Sequence, residues 1–269
     1  MVAMPTPNPS ESLRAFFAFH LKRYREQKGW SQPELGARVN LPSSLVGGIE
    51  VGARRPTRRL ARGLDEIFGL EQFFEALHPR VIEEAGIPPG FSEFVEAESE
   101  AAIVKLYKNF AITGLFHTEE YARAILRKGR HPDKLEQSLA ARMERTEILR
   151  REDPPVIVAL IDASALRRSF GGPAVMRGQL EHLLSVAELP HVHVHVVPED
   201  AEVLPEGSFT LLSSSESDAG YIEAAGGRGH LVDDHGYIAE LGTLFESIRS
   251  RALNVEDSQV AILKELEDL

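Results

Sequence analysis

A chain of 269 residues, 43% of them apolar and with a net charge of −11, is long enough to bury a core in one large domain or two smaller ones. It has no cysteine, which excludes disulfides, thiolate zinc sites and cysteine nucleophiles; any metal would need His, Asp and Glu ligands. No run of about 18 apolar residues could span a bilayer, and the N-terminal MVAMPTPNPSE lacks the basic start and apolar stretch of a secretory signal, so a cytoplasmic protein is expected.

Residues 1–10 hold three prolines among small polar residues and read as a disordered arm. From Leu13 the apolar positions Phe16, Phe17, Leu21 and Tyr24 keep helical spacing up to Gly29. Ser31 followed by Glu34 is a capping box that opens a short second helix through Leu35 to Val39. Asn40 tolerates the left-handed turn before a third helix, Pro42 to Glu50, which Gly52 ends. Thr57 caps a fourth helix with Leu60, Leu64, Ile67 and Phe68 on one side, and a fifth runs from Glu71 to Leu77. Between Glu11 and Leu70 there are 11 Lys+Arg against 6 Asp+Glu, a net of +5, so the remainder nets −16. A basic all-α module, residues 11–80, is thus joined to an acidic one through a linker at 81–94, whose GIPPGF denies backbone donors.

GWSQPELGARVNLPSSLVGGIEVGARRP, Gly29 to Pro56, resembles the helix-turn-helix of Xre/Cro-type repressors at Ser31-Gln32, Leu35-Gly36, Val46, Ile49-Glu50, Gly52, Arg54-Arg55 and Pro56. The resemblance implies a five-helix, lambda-repressor-like domain on double-stranded operator DNA, with the helix Pro42 to Glu50 in the major groove. Ser43, Ser44, Leu45, Gly47 and Gly48 would then face base edges, Ser31 and Gln32 would donate to a phosphate, and Arg54, Arg55, Arg58 and Arg59 would neutralise backbone charge. The two adjacent glycines depart from the polar residues usual there. Each costs a helix about 0.5–1 kcal/mol relative to alanine. Because one such reader covers a half-site, a homodimer is expected.

In residues 95–269, Phe94 to Phe110 reads as helix at its start, and Thr118 to Lys128 and Leu135 to Arg150 read as helices. VIVALI, Val156 to Ile161, is a continuous apolar run of the kind a buried central strand needs. Helical patterns follow at Ala163 to Arg168 and Pro173 to Glu188. Then come the strand patterns VHVHVV, SFTLLS, GYIEAA and GRGHLV, and two closing helices. The fold class expected is therefore multidomain, an all-α helix-turn-helix domain followed by an α+β (mixed α/β) regulatory domain.

Gly114-Leu115, Thr118, Tyr121-Ala122-Arg123, Met143-Glu144-Arg145, Ile161-Asp162, Leu166-Arg167, Gly171-Gly172, Val175-Met176 and Gln179-Leu180 resemble, in order, the C-terminal motifs of WhiJ-like actinomycete regulators. Departures are Phe116-His117, Thr146 and Ala163. The resemblance implies regulation rather than catalysis: an antitoxin-like protein whose second domain binds a small acidic partner encoded nearby, in control of development or secondary metabolism, with no cofactor. A one-component repressor holding a small-molecule ligand is the alternative, and Arg123, Arg145, Arg167 and Arg168, with Asp162, would either line a polar pocket for an anion or, as the simpler account, form structural salt bridges.

A third reading, a metal-dependent enzyme, starts from PHVHVHVV, where His191, His193 and His195 share one face of a strand and Val192, Val194 and Val196 the other. His230, Asp233, Asp234 and His235 are the candidate further ligands. The simpler account is a valine face packed on helices and a histidine face toward solvent in an antiparallel sheet, with the Asp pair as a helix cap. GGRG, Gly226 to Gly229, lacks the Lys-Ser/Thr of a phosphate loop and reads as a hairpin turn, and Ser213-Ser214-Ser215 as a loop.

Overall fold

The computed structural model describes residues 7–84, 91–129, 132–203, 207–215, 217–224 and 228–269. Its backbone contacts separate Met1–Ile87 from Pro88–Leu269.

Local chemistry sets the helices of the first unit. The hydroxyl of Ser12 accepts from Ala15 N at 3.0 Å and starts α1 (Leu13–Gln27). The Ser31–Glu34 capping box starts α2 (Gln32–Arg38), and Asn40, at φ 55°, turns the chain into α3 (Ser43–Glu50). Thr57 caps α4 (Arg58–Phe68), and Asp65 in turn accepts the first amides of α5 (Phe73–Glu84), from Phe74 N and Glu75 N at 2.9 Å. Phe17, Leu21, Leu35, Val46, Ile49, Leu64 and Phe74 close on one another as a single core.

Three boundaries differ from expectation. α5 runs through Pro79 because Val81 and Ile82 are buried, and that burial outweighs one lost amide hydrogen bond. Residues 81–84 are therefore helix rather than linker, and 91–94 open α6 (Phe91–Glu100); of GIPPGF only Phe91 is among the described residues. At the end of the expected arm, residues 8–11 form a turn in which Glu11 N donates to Asn8 O at 3.0 Å and Asn8 Oδ1 accepts from Ser10 N at 3.1 Å. Residues 1–6 lie outside the described ones.

The second unit is a three-layer α/β arrangement on a six-stranded sheet, counted among the described residues, in the order β3-β2-β1-β4-β5-β6. β1 (Ile103–Lys108) is followed by α7 (Glu119–Leu126) and α8 (Leu135–Thr146), and these cross to the parallel neighbour β2 (Val156–Asp162). α9 (Ala163–Arg167) and α10 (Pro173–Ala187) cross again to β3 (Val192–Val197), also parallel. β4 (Phe209–Ser213), β5 (Asp218–Ala224) and β6 (Arg228–Val232) form an antiparallel meander beside β1, and α11 (His235–Arg249) and α12 (Val255–Glu267) follow. One face of the sheet packs Val104, Leu106, Ala159, Val194 and Tyr221 against Phe94, Tyr121, Leu180 and Ile262. The other packs Tyr107, Leu160, Val197 and Phe209 under Leu241, Phe245 and Ile248 of α11.

The expected fold class holds, with two corrections inside it. The segment Phe94 to Phe110 contains a whole strand, β1, after its helix, and Lys105 and Lys108 within it are accommodated by Glu246 and Glu223. The VHVHVV strand is a parallel edge strand, and helices cover both faces of its sheet. Its valines are buried as expected, but His193 and His195 are half-buried instead of facing water, and His195 Nδ1 lies 2.8 Å from the carbonyl of Leu253. The edge of β3 is closed from the side: buried Ser258 on α12 accepts from Val196 N at 2.9 Å, and Leu253 N donates to Val196 O.

Candidate nucleic-acid interface

α2 and α3 are held at a fixed angle by an ionic lock under their junction. Glu50, at the end of α3 and 2% exposed, takes Arg25 of α1 in a bidentate pair, Nε to Oε1 at 2.5 Å and Nη2 to Oε2 at 3.0 Å. Gln32 Nε2 at the start of α2 donates to the same carboxylate at 2.8 Å, and Arg25 Nη1 donates to the carbonyl of Trp30 at 2.6 Å. The hydrogen bonds to Glu50 raise the pKa of Arg25 further above its ordinary value. One carboxylate thus ties three helices together.

This lock changes the roles of several predicted contacts. Ser31 and Gln32, expected to donate to phosphate, direct their donors into the fold: the Ser31 amide and hydroxyl go to Glu34 Oε2 at 2.7 and 2.8 Å, and the Gln32 amide goes to Glu50. The Ser31 hydrogen bonds also hold the Glu34 carboxyl below its usual pKa. Gly47 and Gly48, expected to face base edges, are instead places of close approach. A Cβ on Gly47 would lie 3.0 Å from Gln32 Oε1, and one on Gly48 would lie 2.8 Å from Arg54 Cγ. Leu45 is half-buried against the core.

What remains presented outward is Ser43 and Ser44 at the start of α3, both exposed, where the N-cap Pro42 offers no side-chain acceptor to the first amides. Arg54 and Arg55 are half-buried, whereas Arg58 and Arg59 are exposed in the first turn of α4. That turn has no acidic residue, so two cations sit against the positive end of the helix dipole. Glu75 of α5 lies 3.6 Å from Arg58 and offsets part of this cost, and an anion docked at the turn offsets more.

In the second unit Arg123, Arg145 and Arg167 form the structural salt bridges of the simpler account, and the polar pocket does not form. Arg123 pairs with Glu119 at 3.0 Å and with Glu136; Arg145 makes a bidentate pair with buried Glu98 at 2.8 and 2.9 Å; Arg167 pairs with Glu265 at 3.0 Å and with Glu199. Asp162 caps α9 by accepting from Ser164 N at 2.9 Å. Each group has a structural partner on a different element, so the four do not converge on a ligand. Asp234 caps α11 through Tyr237 N at 2.8 Å, and among the described residues no group of three His, Cys, Asp or Glu side chains comes together that could hold a metal. Of GGRG, Gly226 and Gly227 lie outside the described residues, and Arg228 and Gly229 open β6 opposite Ala224 and Glu223 of β5.

Sequence reasoning missed Arg142, a half-buried guanidinium on α8 beside buried His117. The signal available was Gly114: a Cβ there would stand 2.9 Å from Arg142 Nη1. The lock at Glu50 was visible only as a matched motif residue, because its partner Arg25 lies 25 positions away.

Comparison with known proteins finds two family models that match. One described as a helix-turn-helix domain matches residues 17–73, and one described as a domain of unknown function, DUF5753, matches residues 91–264. No curated protein and no solved structure matches the chain.

Proposed function

The chain belongs to the family defined by the domain of unknown function DUF5753, and from that premise we propose a specific operator-binding regulator whose second unit receives a protein partner. Its N-terminal helix-turn-helix domain makes it a DNA-binding regulator of transcription. In this reading α3 enters the major groove with Ser43 and Ser44 nearest the bases, and Arg58 and Arg59 clamp the adjacent backbone. The observation that carries the reading is the pair of exposed arginines at the start of α4, next to a reading helix fixed by Glu50. With so few side chains at base edges, phosphate contacts and DNA shape supply most of the affinity.

The finer parts of the proposal rest on the WhiJ-like motifs. The second unit binds a small acidic protein encoded nearby, on the antitoxin side of a toxin–antitoxin-like pair, in control of development or secondary metabolism, and it carries out no catalytic step. The chain acts in the cytoplasm at the nucleoid as a homodimer, since one reader spans one half-site. Among the described residues no helix is long and apolar enough to cross a membrane.

Genome-wide mapping of bound DNA, with and without the neighbouring gene's product, tests the reading. Discrete sites with two-fold sequence symmetry, redistributed by the partner, are expected. Uniform occupancy would remove the operator, and occupancy indifferent to the partner would remove the partner.

A further inference from the structure

Arg142 stands in a cluster of ionised side chains on one face of the sheet. Its neighbours there are matched: Arg145 has Glu98 at 2.8 and 2.9 Å, and Lys108 at the end of β1 has Glu223 and also donates to Thr210 Oγ1 at 3.4 Å. Arg142 has no carboxylate partner among the described residues. Its contact is Nη1 to His117 Nδ1 at 3.4 Å. That ring lies with Nε2 2.9 Å from the carbonyl of Ile112. The Nε2–H therefore donates to Ile112 and leaves the Nδ1 lone pair toward the guanidinium. Burial first, and then Arg142, holds the His117 pKa well below its ordinary value, so the ring supplies no charge.

The charges do not balance. Lys108, Arg142 and Arg145 face Glu98 and Glu223, leaving one positive charge in excess at Arg142. Burial brings the Arg142 pKa down to about 10, which still leaves it ionised at neutral pH. Gly114 keeps the space for this group, since a Cβ there would come within 2.9 Å of Nη1 and 3.0 Å of Cδ. The cluster opens to solvent at Glu223, whose side chain is 44% exposed, and Arg142 itself is half-buried. A crowded guanidinium without a counter-ion is costly, and its planar fork matches a carboxylate bidentately.

We propose that Arg142 anchors a binding site for a small organic carboxylate in the second unit. A single negative charge cancels the excess, whereas a phosphate dianion would overshoot beside Glu98 and Glu223. The site is separate from the DNA and partner reading, and its test measures neither.

The full chain is treated with phenylglyoxal, and modification is followed residue by residue by mass spectrometry, with acetate and benzoate as probes against chloride at the same ionic strength. Arg142 is expected to react and to be protected several-fold, in a saturable way, by the carboxylates only. An Arg142 that stays unlabelled while exposed Arg58 is labelled overturns the site, as does protection that chloride matches. Stronger protection by inorganic phosphate than by either carboxylate overturns the ligand class. In parallel, benzoate should raise the Tm of the wild-type chain and not that of Arg142→Met. Should that variant fail to fold, protection on the unaltered chain decides.

Discussion

Replacing Glu50 with alanine removes the carboxylate under the α2–α3 junction and leaves Arg25, 9% exposed, with the Trp30 carbonyl at 2.6 Å and the exposed Glu26 carboxylate at 3.7 Å. Breaking a buried ion pair on one side costs about 3–5 kcal/mol, because the remaining charge is stranded without solvent. A unit of this size has a total stability of roughly 5–10 kcal/mol, so much of it would be lost. The chain has one tryptophan, Trp30, stacked on Phe68 in this unit at 5.7 Å, and its fluorescence therefore reports unfolding of the first unit alone. With a urea slope of about 1.5 kcal/mol per molar, Glu50→Ala should lower the midpoint by about 2–3 M. The double variant Arg25→Met/Glu50→Leu should recover to within about 1–2 kcal/mol of wild type, since packed apolar groups avoid the desolvation cost. A midpoint shift below about 0.5 M for Glu50→Ala would refute the reasoning. It would mean that the guanidinium finds water once its partner is gone.

Three further outcomes follow from other elements. Arg58→Glu with Arg59→Glu should weaken DNA binding and flatten the log–log salt dependence by about 1.8, close to 0.9 per lost phosphate contact, in gel retardation over a salt series; an unchanged slope places the phosphates elsewhere. The folded His117 pKa is depressed by burial, so at pH above about 6.5 both states are neutral, and on acidification the unfolded chain takes a proton that the folded ring refuses. The Tm of the second unit should therefore fall between pH 7.5 and 5.5, by up to about 1.4 kcal/mol of stability per pH unit, and His117→Gln should fall less steeply. Ser258→Ala leaves the buried Val196 amide without its acceptor and should cost about 1–3 kcal/mol by denaturant titration; a loss under about 0.5 kcal/mol would mean that water replaces the hydroxyl.

Signals confined to one turn of chain were legible in the sequence. The Ser31–Glu34 box, the Thr57 cap, the left-handed Asn40 and the Asp234 cap all form where their spacing places them, because each needs partners only three or four residues away. What depends on distant partners was not legible. IVKLYK hid β1, since two lysines break the apolar pattern and their carboxylates come from residues 223 and 246. The alternation in VHVHVV gives which side chains share a face, but it says nothing of the neighbouring strand's direction or of the helix above. In the candidate interface the family pattern marked α2 and α3, while the local capping box took Ser31, and contacts with other elements drew Gln32, Gly47 and Gly48 into structural duties. For Arg123, Arg145 and Arg167 the sequence leaves a shared pocket and separate salt bridges both open, because it shows their charge and not the carboxylates that each one meets.

The closure of β3 by Ser258 has a consequence for how the protein is made. The hydroxyl that covers the Val196 amide is added to the growing chain 62 residues after the strand itself. At about 5–20 residues per second that is a delay of roughly 3–12 s, in which VHVHVV exists as a valine-rich strand with a bare edge. During that interval two nascent chains on one messenger could pair along it, and a chaperone that holds extended apolar segments would find its natural substrate there. α12 is thus a seal applied well after the strand is made, and mutations that slow its docking should first be visible as loss of yield, with the finished protein unchanged.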